Sequence, residues 1–294
     1  MADALMEFRP EIWSSNLIVN VDKSLVFRNV VNTDYEGEIT AYGNVVKINE
    51  IGDITVNDYT EGTDISIQTL DGAQKELVID QKKYFAFSVD DVLNAQSKPK
   101  VMSAAMRKAA FSIADTIDQH IAGLYSGAGV ATSNLGTSAT DLDIYATGDG
   151  YDQMIGVITN MHRYLDEANA PTQGRWVVIP PWMHQYLKFA QIVDNAEGGM
   201  KGGDGTTWGN GYVGNNMGFN FFVSNNVSND GTTFRVMFGT PDAISYAGQV
   251  TRMDSGRVEK QFGDYVKGLY VYGTKVVRPD HLGVAYLAAA GLST

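Results

Sequence analysis

The feature that most constrains the fold is a long stripe of apolar residues between positions 97 and 127. Pro99 stands at the expected first turn, where a missing amide hydrogen does no harm, and Gly127 ends the pattern. The apolar positions recur at steps of three and four, which predicts one amphipathic helix. They are Met102, Met106, Ala109, Ile113, Ile117, Ile121 and Leu124. About 25 residues at 1.5 Å each give a rod of about 38 Å, which is long for a globular protein.

The sequence before this helix, over residues 37–89, consists of short β-like runs separated by turn residues. Asn57-Asp58 and Asp71-Gly72 are turn pairs, and Leu77 and Ile79 alternate with polar neighbours. We interpret this part as an extended hairpin. It holds too few bulky residues to form its own core, so it must pack on a helix or reach a partner.

The N-terminal stretch, to about Tyr35, is apolar and aromatic without a long periodic pattern. Phe8, Ile12 and Trp13 are its most prominent residues. Such a segment gains most by lying against another surface. That surface is either its own domain or a neighbouring subunit, which the segment would then cross as an arm.

The sequence after the helix predicts a junction followed by α/β units. Residues 126–150 are rich in Gly, Ser, Thr and Ala, which marks the boundary of a subdomain. The later elements are predicted as a helix over 154–165, a buried strand over 175–179, a helix over 181–189, a glycine-rich loop over about 197–216, strands in GFNFFVSNN and TFRVMFG, a short helix over PDAISYA capped by Thr240, and strands over 266–277 and 281–289.

The sequence lacks the motifs that would indicate catalysis, a cofactor or a metal. The glycine-rich loop contains Lys201 but not GxxxxGK[ST], the histidines have no metal-ligand spacing, and GxSxG is absent. Asp115 and Asp118 lie three residues apart on the long helix, where we expect a solvated or subunit-facing polar side rather than an acid–base pair. We therefore predict no catalytic, cofactor-binding or metal-binding residues.

The net charge and the composition limit the classes of partner that the protein can bind. The formal net charge of −12, from 34 acidic and 22 basic residues, opposes tight binding of a phosphate backbone but suits a container for DNA. With no cysteine, the chain forms no disulfide. No run is apolar enough to span a bilayer, and we expect a soluble protein.

The order of these elements resembles that of tailed bacteriophage major capsid proteins of the HK97 fold. Phrases that carry the resemblance are NTDYEGEITAYGNVVKI, YFAFSVDDV, IADTIDQHI, GRWVVIPPWMH and the final run from FGTPDAISYAGQV to VYGTKVVRPDHLGVAYLA. The resemblance implies an α+β fold with an N-terminal arm, an extended β-hairpin loop, a long spine helix and an α/β axial domain. The corresponding ranges are 1–36 for the arm, 37–89 for the extended loop with adjoining peripheral strands, 90–130 for the spine helix, 131–265 for mainly the axial domain, and 266–294 for a return to the peripheral domain.

The same resemblance implies a structural subunit of a virion. Pentamers and hexamers would form an icosahedral shell, assembled in the host cytoplasm, that encloses double-stranded DNA without binding it specifically. Scaffolding, portal and decoration proteins are the implied partners, and no covalent crosslink is predicted. The residues predicted to contact other subunits are Phe8, Ile12, Trp13, Lys47, Asp58 and Tyr59.

Three other interpretations remain open from the sequence. An encapsulin-like compartment shares the fold but houses an enzyme cargo. An enzyme could use the glycine-rich loop with Lys201 and Asp204 as its active site. A phage tail or adhesion protein would suit the β-rich excursion, although the long helix argues against it.

Overall fold

The computed structural model describes most of the chain with gaps. The described residues are 26–35, 45–51, 54–58, 61–62, 64, 67–69, 72–90, 101–129, 133–137, 140–144, 150–189, 212–216, 218–258 and 263–288. Four of the predicted contact residues, Phe8, Ile12, Trp13 and Tyr59, lie outside them, as do the predicted helix start at 97–99 and most of the glycine-rich loop.

The described elements comprise three α-helices and eleven strands. The helices are α1 Val101–Ala122, α2 Gly150–Glu167 and α3 Pro181–Phe189. The strands are β1 Val45–Ile51, β2 Gly72–Val78, β3 Gln81–Asp90, β4 Leu142–Asp143, β5 Trp176–Ile179, β6 Tyr212–Asn216, β7 Phe219–Val223, β8 Thr233–Gly239, β9 Ile244–Arg257, β10 Gly263–Val276 and β11 Leu282–Ala288.

The strands form three sheets. β1 and β2 make an antiparallel hairpin, and β3, β10 and β9 make an antiparallel sheet in that order. The third sheet is mixed and runs β4-β11-β8-β5-β7-β6. The predicted return over 266–294 is thus divided between two sheets, since β10 pairs with β3 and β9 while β11 pairs with β4 and β8. The proposed domain ranges themselves stay predictions.

The six-stranded sheet is buried on both faces. Along β5, Trp176 and Val178 pack in the cluster that contains α1, whereas Val177 and Ile179 pack with α2 and α3. Alternate side chains of a strand point to opposite faces, so four consecutive apolar residues are what a doubly covered strand requires. This sheet therefore separates the two main hydrophobic cores.

The long helix predicted from the apolar stripe is confirmed. Ile113, Ile117 and Ile121 are buried in the first core against Phe27 and Tyr272. The helix ends at Ala122, and one 3-10 segment, Gly123–Gly127, continues it as far as the predicted stop. The predictions for α2, β5, α3, β7, β8, β10 and β11 are confirmed as well.

The helix predicted over PDAISYA is wrong. Only Pro241–Ala243 form a 3-10 turn, and the Thr240 side chain makes no capping hydrogen bond. The chain then enters β9, where Ser245 and Tyr246 pair with Lys275 and Thr274 of β10. Pairing along a fourteen-residue neighbour outweighs the weak local preference for helix. Likewise, the end of the predicted glycine-rich loop is a strand, β6, which pairs with β7.

Candidate assembly surfaces

Large apolar side chains that remain in water lie, within the described residues, on the hairpin, on β3 and on α1. Those more than about a third exposed are Val45, Ile54, Val56, Ile67, Val78, Tyr84 and Phe111. The first five lie on the hairpin of β1 and β2 or at its tip, and the other two lie on β3 and α1. Exposed apolar side chains of this kind are typical of surfaces that contact a partner.

The base of the hairpin is fixed to the body of the protein by a small core. Leu77 is fully buried with Val46, Ile48 and Ile79 of the hairpin segment, and they pack on Ala247 of β9 and on Val277. These positions alternate with exposed ones, as one buried face of a two-stranded ribbon demands.

Two lysines tie the hairpin to the end of β10. The Lys75 ammonium donates to the Val277 carbonyl at 2.7 Å, and the Lys275 ammonium donates to the Glu76 carbonyl at 2.8 Å. Hydrogen bonds from a charged donor are stronger than neutral ones. The hairpin therefore projects from a firm base.

The hairpin tip, defined here as the described residues between positions 54 and 69, has no core of its own. Ile54 is 68% exposed, and Val56 and Ile67 are each 93% exposed. The Thr55 amide donates to the Gln68 side chain at 3.0 Å, which links the two legs. The tip also carries the exposed acids Asp58, Glu61 and Asp64.

The second surface, called the groove below, runs between α1 and β3. It has a volume of about 640 Å³ and is lined by side chains that include Phe85, Phe87, Ala109 and Ile113. Tyr84 in its wall is 79% exposed, whereas Phe111 of α1, which is 63% exposed, does not line the groove. Lys83 and Lys108 also line the groove. The groove is therefore apolar with basic side chains, the opposite charge from the tip.

The predicted contact residues that the structure describes are both accessible. Lys47 is exposed on β1, opposite Glu76, and Asp58 is exposed in the hairpin tip. Their contacts with another subunit stay predictions. The sequence reasoning missed Tyr84 and Phe111, although Phe111 could have been found because it is a large apolar residue off the buried stripe of α1.

Asp118 does not lie on a solvated side of the helix, so that expectation is wrong. Its carboxylate is 3% exposed and accepts hydrogen bonds from the amides of Val26 and Phe27 at 3.1 and 2.9 Å. Ser224 and Asn226 approach its second oxygen at 3.4 and 3.3 Å. Burial raises the pKa of Asp118 above its ordinary value, although these hydrogen bonds act to lower it.

The described residues contain no cluster of three His, Asp or Glu side chains that could hold a metal ion. None of the described helices combines the length and apolar character that crossing a membrane requires. What the described surface does offer is a projecting apolar element and an apolar groove.

A hairpin anchored at its base, a long helix and a doubly covered sheet define a capsid subunit of the HK97 type. A family model described as phage capsid protein matches residues 72–287, and the chain belongs to that family. A solved structure from Mycobacterium phage Che8 is 30% identical, with a TM-score of 0.67 over 88% of this chain and 90% of that one. The protein is thus a structural major capsid subunit, and these matches do not favour the compartment alternative.

More distant structures share the fold. The capsid of the cyanophage P-SCSP1u is 16% identical, with a TM-score of 0.63 over 88% of this chain and 86% of that one. The mature capsid of bacteriophage PhiM1 is 13% identical, with a TM-score of 0.62 over 88% of each chain. The comparison with curated protein sequences found no match.

Proposed function

We propose that neighbouring copies of this subunit are joined by the hairpin tip of one copy lying in the groove of the next. The observation that carries the proposal is the exposure of Ile54, Val56 and Ile67 on an element that is firmly held at its base. A second copy supplies an apolar groove of suitable chemistry. Each subunit then donates one tip and accepts one, which suits a closed shell.

The energetics favour a contact that binds two subunits weakly by itself but stabilises a shell in which many such contacts form together. Burying one Val or Ile side chain contributes about 1.5–3 kcal/mol, so the three residues at the tip contribute about 4.5–9 kcal/mol. Association costs about 4–15 kcal/mol in lost translation and rotation. A single tip therefore barely holds two copies together, whereas many tips in one shell act together.

The charges of the two surfaces support the same pairing. The tip carries Asp58, Glu61 and Asp64, whereas Lys83 and Lys108 line the groove. Opposite charges at the margin of an interface mainly steer association and select the partner. They explain how a chain with a net charge of −12 can still recognise itself.

Assembly of charge-reversed variants tests this pairing. Asp64→Lys and Lys108→Asp should each reduce the yield of shells, and the double variant should recover it, as measured by sedimentation velocity and negative-stain microscopy. Lys82→Asp is the matched control, because this exposed lysine adjoins Lys83 but does not line the groove. If both single variants assemble like the wild type, or the double variant is worse than either, the pairing is wrong.

At the level of the particle, we propose an icosahedral shell of pentamers and hexamers, assembled in the host cytoplasm around double-stranded DNA. The acidic composition supports enclosure without tight binding, since like charge leaves the polymer mobile. Scaffolding, portal and decoration proteins would complete the particle. Purified particles should contain DNA that resists nuclease until the shell is opened, and particles that consistently lack such DNA would contradict this role.

A further inference from the structure

Asp118 joins three separate parts of the chain at one buried carboxylate. Its Oδ1 accepts from the amides of Val26 and Phe27, the first described residues after the N-terminal segment. Its Oδ2 faces the Ser224 hydroxyl and the Asn226 carboxamide in the turn after β7. The carboxylate therefore attaches Val26 and Phe27 to α1.

All four of these partners are neutral. Arg28, the charged residue next to Phe27, lies over the Tyr246 ring at 5.5 Å, and residues 224–229 contain no ionisable side chain. On the helix itself, Asp115 lies one turn earlier and accepts from Asn226 at 2.7 Å and from Gln119 at 2.8 Å. A carboxylate with no cation among its described contacts carries a large desolvation cost, which neutral donors offset only in part.

We propose that Asp118 is a proton-dependent latch that holds Val26 and Phe27 on α1 more tightly when the carboxyl is protonated and more loosely when it is ionised. Protonation at Oδ2 leaves Oδ1 free to accept from Val26 and Phe27. The new hydroxyl donates to Ser224, and Asn226 keeps its shorter bond to Asp115. The protonated latch thus keeps its essential contacts without the cost of a buried charge.

The sign of the pH dependence follows from linkage. Burial raises the pKa of Asp118 in the latched state, so that state binds the proton more tightly than an open state with a solvated carboxyl. Acidification through that range therefore favours latching, by up to about tenfold for each pKa unit that separates the two states. The latched arrangement of Val26 and Phe27 is therefore less favoured near neutral pH than in acid.

Hydrogen exchange of the Val26 and Phe27 amides in the unassembled subunit tests the latch. Protection, corrected for the intrinsic pH dependence of exchange, should rise in the wild type as pH falls from neutral. Asp118→Asn, a neutral isostere that keeps an acceptor for both amides, should be well protected at every pH. Asp280→Asn is the control, because this exposed acid makes no contact with the latch, and it should keep the wild-type pH response.

Wild-type protection that is flat or falls on acidification would overturn the proposal, as would the same pH response in Asp118→Asn. Asp118→Ala should lose protection at every pH, and the comparison of wild type with Asp118→Asn decides the matter if that variant does not fold. The measurement uses single subunits, so its outcome is independent of whether the hairpin tip occupies the groove.

Discussion

Replacing Leu77 with alanine tests whether the hairpin is a separately anchored unit. Leu77 is fully buried in a cluster of the hairpin segment with Ala247 and Val277, and Tyr35 and Val271 pack against that cluster. Leu-to-Ala changes at such sites cost about 2–5 kcal/mol. Leu77 belongs to neither of the two main cores, so we expect the loss to fall on detachment of the hairpin and much less on global unfolding.

A loss of about 2–5 kcal/mol raises the population with a detached hairpin by about 30-fold to about 4,000-fold. Hydrogen exchange of the β1 and β2 amides should accelerate by that factor, while Tm changes little and shell assembly falls. Val78→Ala is the matched control, because Val78 adjoins Leu77 in sequence but is 45% exposed on the opposite face. If Leu77→Ala instead lowers Tm as strongly as Ile117→Ala, with no selective exchange in the hairpin, the reasoning fails.

Four further predictions concern the body of the subunit. Arg175→Met should cost about 2–4 kcal/mol in urea unfolding, because it removes the donor from the buried carbonyl of Ala170 and the partly buried carbonyl of Pro171. Asp166→Asn should cost about 1 kcal/mol or less, since Asp166 is half-exposed. The hydrogen bond from Arg175 lowers the pKa of Asp166, so the small contribution of Asp166 to the free energy of unfolding should persist at neutral pH and disappear as pH falls through that lowered pKa. Loss of this contribution already at neutral pH would refute the prediction. Burial raises the pKa of Tyr272 to about 12, so the stabilisation from its neutral phenol should last to about pH 10 and be lost towards pH 12. Tyr272→Phe should remove one late-titrating phenol from the absorbance titration. An unchanged titration would contradict this prediction. Gly283→Ala should lower stability by about 1–3 kcal/mol, since its methyl would press on the Phe238 ring, and an unchanged Tm would count against such tight packing.

Regular patterns made much of the fold predictable. The 3.6-residue period of α1 and the unbroken apolar run of β5 each specify both an element and its buried faces. The strand β9 was not predictable in the same way, because residues such as Gln249, Arg252 and Asp254 suit an exposed strand or a loop equally well. Its state depends on pairing with β10, which is fixed only in the folded chain.

The candidate surfaces were only partly predictable for a similar reason. The sequence indicated that the hairpin must contact another surface, because it has too few bulky apolar residues to form its own core. The groove could not be predicted, because it arises from the placement of β3 beside α1. Asp118 lies three residues after Asp115, and this local pattern predicts an exposed polar side of the helix. Asp118 is buried because residues 26 and 27, from a distant part of the sequence, pack on it. A contact between residues some ninety positions apart leaves no local pattern in the sequence.

The placement of β11 has a consequence for synthesis in the cell. This strand, drawn from residues 282–288, lies inside the six-stranded sheet between β4 and β8, and all seven of its residues are buried. A ribosome must therefore translate past residue 288 before the sheet can close. Nascent chains that stall earlier expose the edge of β8 and should be degraded by proteases. Truncated subunits should therefore be removed before they can assemble with other copies.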